Sequence, residues 1–134
     1  MGQNIADRLL LDSTVLIDLS RRRKEAIDYI DSVRRNDQET AISIISSMEL
    51  IIGCRDKTEA DKTLKFLRDC LIIDISIPIS RKAYQLTIQY SKSHGLVIPD
   101  AFIAATAWDE GFTLATSNVR HFDMIEGLIV QKPY

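Results

Sequence analysis

Cysteine, proline, glycine and long apolar runs are all scarce in this 134-residue chain. Its two cysteines, Cys54 and Cys70, lie outside any C-x-x-C pair, and two thiols make a poor disulfide framework. They read as reduced, buried thiols of a cytoplasmic protein. Three Pro and five Gly leave no room for a Pro- or Gly-rich linker, so residues 1–134 read as a single domain. No apolar run approaches the roughly 20 residues that span a bilayer, so no membrane partner is expected. The opening Met-Gly-Gln-Asn-Ile-Ala-Asp-Arg lacks the apolar core of a signal peptide. A formal net charge of −2 argues against a strongly basic protein that grips duplex by charge alone. It leaves room for a nucleic-acid enzyme, because carboxylates gathered for metal ions lower the apparent charge. Cys/His clusters that would suggest zinc and a G-x-x-x-x-G-K-[ST] phosphate loop are also missing.

What is present is an ordinary globular balance, 46% hydrophobic and 27% charged, in alternating short apolar runs and amphipathic stretches. Leu9–Leu11, Ala41–Ile45, Leu71–Ile75, Phe112–Thr116 and Leu128–Gln131 read as strands. Helices are expected after Asp12, over Lys24–Arg35, from Ser46 to Gly53, over Thr58–Asp69 and Ser80–Ser93, and from Asp100 to Asp109. Strands alternating with helices imply a parallel sheet of four or five strands covered on both faces, a three-layer α/β/α sandwich. In such sheets ligands bind beyond the carboxyl ends of the strands.

Three acidic residues fall at that kind of place. Asp12 ends the first strand, Glu49 lies at the start of the helix after the second, and Asp100 opens the helix before the fourth. Each has a structural alternative. Asp12 and Asp100 suit helix starts, and Ser46-x-x-Glu49 matches a capping box. A carboxylate at a helix start can also face a metal. Carboxylates that partly surround magnesium leave positions for water and a phosphate oxygen, which is the chemistry of phosphodiester hydrolysis.

The segments LLLDSTVLIDL, ISSMELIIG, IPDAFIAATA and LATSNVRHFDMIEGL resemble the successive motifs of PIN domains, and most closely the VapC-type toxins of VapBC toxin–antitoxin pairs. The resemblance covers nearly the whole chain, in order. It implies a PIN-like fold, Mg2+- or Mn2+-dependent endoribonuclease activity, often on tRNA or rRNA, a homodimer, and inhibition by a cognate antitoxin. On this resemblance Asp12, Glu49 and Asp100 are the metal-holding and catalytic carboxylates. Asn118 stands where many PIN domains place a fourth acid. An amide there adds no charge, and Asp123 is the nearby acid that could stand in for it. Ser13 and Thr116 resemble the small polar residues that orient the site.

Other residues have plainer readings. Asp18, six positions after Asp12, should not share its face. The run Arg21-Arg22-Arg23-Lys24 can touch RNA phosphates, although a solvated helix end is the commoner meaning. Arg120 and His121 follow the fourth strand and could position phosphate. His94 reads as a helix-end residue, and Trp108, Phe102 and Phe112 as core. Two other functions compete with the nuclease. One is a catalytically degenerate PIN domain that binds RNA or protein, which Asn118 keeps open. The other is phosphotransfer on Asp12, against which stands Thr14, where dehalogenase-like enzymes carry a second Asp.

Overall fold

The structure, a computed structural model, describes residues 7–134. The signal-peptide reading of the first residues falls largely outside them. Five strands, β1 (Arg8–Leu11), β2 (Glu39–Ser43), β3 (Ile72–Ile73), β4 (Thr113–Ala115) and β5 (Val130–Gln131), form one sheet in the order β3-β2-β1-β4-β5. Every pairing is parallel, with Leu10 opposite both Ala41 and Leu114. Six helices connect them: α1 (Ser13–Ser20), α2 (Lys24–Arg35), α3 (Ile44–Ile52), α4 (Lys57–Arg68), α5 (Ile77–His94) and α6 (Ile98–Glu110). A single 3-10 turn, Val119–His121, follows β4. This is the α/β/α arrangement expected from the alternation of elements.

Strand side chains point alternately to opposite faces, and two cores result. Leu10, Ala41 and Leu114 pack with Ile79, Leu86 and Ile103 of α5 and α6. Leu9, Leu11, Ile42 and Ala115 pack on the other face with Leu16, Ile30, Val33 and Leu67. Because both faces are covered, β1 carries three consecutive leucines, all at most 5% exposed, rather than an alternating pattern. Among the described residues no helix is long and apolar enough to cross a membrane.

Several local expectations change. Helix α3 begins at Ile44, not Ser46, because Ser43 caps it and accepts from the Ile45 N–H at 3.1 Å. The Ser46–Glu49 capping box is therefore absent. The Ser46 hydroxyl is buried without a partner, and Glu49 sits in the second helical turn. Ser76 likewise caps α5, which begins at Ile77, three residues before the expected Ser80. Leu64 and Phe66 of α4 and Ile88 of α5, all apolar, are exposed. Both cysteines are half-buried rather than buried. Trp108 is not core: 43% of it is exposed and Lys82 Nζ lies 3.7 Å over its ring. Phe112 is core, and Phe102 is partly buried against it.

Gly127 explains the seat of Trp108. Its φ is +82°, and a Cβ there would stand 2.9 Å from Trp108 Nε1. Gly127→Ala is expected to cost more than about 1 kcal/mol through the left-handed backbone alone, read as a lower urea midpoint at unchanged slope.

Candidate active site

The chain builds outward from β1 through β2 to β3, then returns to place β4 on the other side of β1. Strand order reverses between β1 and β4, and a crevice beyond their carboxyl ends is the ligand position of an open parallel sheet. Asp12 occupies it. Its N–H donates to the Ala115 carbonyl at 3.0 Å, which ties the end of β1 to the end of β4.

Asp12 takes the N-cap position of α1, yet its side chain makes no capping bond. Its Oδ2 instead accepts from the hydroxyls of Thr116, at 2.7 Å, and Thr14, at 3.0 Å. Those hydroxyls accept in turn from the backbone N–H groups of Asn118, at 3.0 Å, and Ser117, at 3.2 Å. Asp12 is 3% exposed and Thr116 is fully buried. A charge this deep is tolerated only when hydrogen-bonded. The network fixes Oδ2 and leaves the other oxygen free of these bonds. Thr116→Val, which keeps the shape and removes the donor, is expected to cost about 1–3 kcal/mol in denaturant unfolding.

Glu49 and Asp100 complete the cluster. Burial pushes the Glu49 carboxyl above its ordinary 4.5, a hydrogen bond from Ser13 pulls it back, and repulsion from Asp12 and Asp100 raises it further. Burial also lifts Asp100 above 3.8, reinforced by Asp12 and opposed by His121, whose Nδ1 lies 3.2 Å from Asp100 Oδ2. Asp100 lies in the first turn of α6, where the helix N-terminus favours a negative side chain. Carboxylates from three separate elements thus sense one another at one sheet edge. Among the described residues no three His, Cys, Asp or Glu side chains form a ready-made cation cage.

The structure sorts the remaining candidates. Ser13 holds Glu49 and Thr116 holds Asp12, both within the cluster. Asn118 joins through its backbone N–H and precedes the 3-10 turn. Asp123 is exposed on the segment after that turn. Asp18 is engaged elsewhere, by Arg23 and the Tyr134 hydroxyl. His94 ends α5 as expected. Sequence reasoning missed Thr14 as a support. Its signal was a hydroxyl two residues after an Asp at a strand end, a spacing that favours local bonding back to the carboxylate. His121, weighed for phosphate contact, has its ring beside Asp100.

Comparisons with known proteins bear on the chain as a whole. The PIN domain family matches residues 9–127. Ribonuclease VapC10 of Mycobacterium tuberculosis is 37% identical over 121 residues, covering 90% of both chains. A chain of a toxin–antitoxin complex from Klebsiella pneumoniae superposes with a TM-score of 0.77 at 32% identity, covering 94% of this chain and 98% of that one. A chain of VapBC2 from Rickettsia felis, bound to a DNA fragment from their promoter, gives 0.78 at 26% identity, covering 92% and 97%. With a family match over most of its length and VapC relatives aligned nearly end to end, the chain belongs to the PIN domain family.

Proposed function

We propose that the chain is a metal-dependent endoribonuclease, the cytoplasmic toxin of a toxin–antitoxin pair, that hydrolyses RNA phosphodiester bonds at the edge formed by Asp12, Glu49 and Asp100. The observation that carries this reading is the mutual repulsion of three carboxylates from separate elements at the point where strand order reverses. Relatives named as ribonucleases and a neighbour from a toxin–antitoxin complex support it.

The donor set suits a hard cation. It is all oxygen, partly buried, and electrostatically frustrated in a way that a divalent ion relieves. Asp12, Glu49 and Asp100 would hold Mg2+ or Mn2+, which when bound polarises a phosphoryl oxygen and acidifies water. The chain's own residues supply the rest. Thr14 and Thr116 fix the Asp12 carboxylate, Ser13 restrains Glu49, and His121 restrains Asp100. Asn118, beside them on the loop after β4, offers a neutral oxygen.

A cognate antitoxin would be the regulating partner. A groove of about 800 Å³ between α1, α3 and α4, floored by Leu16, Leu50 and Phe66, suits an apolar segment of it. The homodimer would use exposed apolar side chains such as Ile77, Tyr84 and Ile88 on α5. One observation favours a second reading, a binding module that does not cut: Asn118 contributes no charge where many PIN domains carry an acid.

The test is incubation of the purified chain with single-stranded RNA in magnesium, in EDTA, and as the Glu49→Gln variant. Cleavage in magnesium alone, lost in the variant, is expected. Equal cleavage in EDTA rejects the metal, equal cleavage by Glu49→Gln rejects the site, and binding without cleavage selects the second reading.

A further inference from the structure

A carboxylate edge repels the backbone it must approach, so a nuclease of net charge −2 needs its cations placed deliberately. The turn between α1 and α2 gathers four of them: Arg21, Arg22, Arg23 and Lys24, all exposed. Arg22 has φ +57°, a left-handed backbone that a long side chain rarely adopts. It is the left-handed residue that ends α1 in a Schellman turn, where the Arg22 N–H bonds the Leu19 carbonyl and the Arg23 N–H the Asp18 carbonyl, both at 3.0 Å, so the shape of the turn is fixed by backbone hydrogen bonds.

The Arg23 side chain ties this turn to the rest of the fold. Its guanidinium bonds Asp18 at 3.1 Å and Glu25 at 3.3 Å, and lies 5.5 Å over the Tyr134 ring. The Tyr134 hydroxyl donates to the same Asp18, and its ring meets Tyr29 edge-on at 6.0 Å. Tyr29 in turn reaches Gln131, at 3.3 Å, at the carboxyl end of β5. The Gln131 carbonyl accepts from the N–H of Thr116, whose hydroxyl holds Asp12. An unbroken series of contacts therefore fastens the turn to the site edge. Along α1 the separation from Asp12 to Arg21 is about 13 Å, a few nucleotides of extended backbone. Arg21, Arg22 and Lys24 meanwhile carry no ion pair among the described residues.

We infer that this turn is a subsite for single-stranded RNA phosphates. Arg21, Arg22 and Lys24 contact backbone a few nucleotides from the bond held at Asp12, and Arg23 anchors the turn. The subsite rests on the ribonuclease reading for the position of the cut, not for the binding itself.

The experiment measures affinity for a short labelled oligouridylate in EDTA as salt is varied, for wild type and the triple variant Arg21→Ala, Arg22→Gly, Lys24→Ala. Glycine at 22 relieves the backbone, and an unchanged melting temperature verifies the fold. At about 0.1 M salt the variant is expected to bind at least about tenfold more weakly, with a salt slope shallower by about 2, since each single-strand phosphate contact contributes about 0.7. Identical affinity and slope, or no binding by wild type, would overturn the subsite. Unchanged RNA binding would point the cations toward an acidic protein surface instead. Wild type that binds through the turn but never cuts rejects the nuclease reading and keeps the subsite. Wild type that cuts while the variant binds normally does the reverse.

Discussion

Asp12→Asn is expected to slow RNA cleavage by at least about 10²–10³-fold, the scale seen when one preorganised electrostatic group is removed from an active site. The substitution separates charge from geometry. The asparagine carbonyl oxygen can still accept from the Thr14 and Thr116 hydroxyls that hold Oδ2 at 3.0 and 2.7 Å. Both threonines stay partnered, and the link between β1 and β4 through the Asp12 N–H is untouched. The fold should survive, with a circular dichroism spectrum and urea midpoint close to wild type. Asp12→Ala would also abolish activity, but it strands two hydroxyls in a buried site. That costs about 1–3 kcal/mol and confuses the reading. Wild-type kcat in Asp12→Asn would mean that the negative charge at the sheet's reversal point does no chemistry.

The sheet was legible in the sequence because each strand is a short apolar run with a turn signal behind it. Leu9-Leu10-Leu11 before Asp12 is the plainest case. Both faces of β1 are covered, so every position is apolar, and the run ends where the chain meets the crevice. Helix starts were less legible. Ser43 and Ser46 are equally good caps on composition. Only the carboxyl end of β2, with Ser43 in extended geometry beside Ile73, decides between them. Trp108 was misread because its apolarity speaks for burial, while the position of Lys82 and Gly127 around its ring is set by tertiary packing. At the site, Asp12 and Glu49 follow from adjacent parallel strands. The approach of Asp100 does not, because it depends on where α6 starts in space. The Asp18–Tyr134 contact lies further from view, since it joins residues 116 positions apart through side chains alone.

Magnesium or manganese should raise the melting temperature, and the rise should depend on pH in a set direction. Burial, with repulsion from Asp12 added, holds Glu49 and Asp100 above their ordinary 4.5 and 3.8. A carboxyl with a raised folded pKa keeps its proton after the unfolded chain has lost it. Its contribution to stability is therefore fullest below the ordinary values and is lost as pH rises through the raised ones. The metal-free protein carries that penalty at neutral pH, and the double variant Glu49→Gln, Asp100→Asn should be free of it. The difference in melting temperature between variant and wild type should thus widen from acid to neutral pH. A bound divalent ion opposes the same repulsion, so its stabilisation should follow the ionised carboxylates: largest near neutrality, fading as they protonate, and small in the variant. At about 100 times its dissociation constant it is worth about 2.7 kcal/mol, on the order of 10 °C for a chain of this size. A melting temperature indifferent to both ions at neutral pH would show that these carboxylates, though near enough to repel, are not arranged to share a cation.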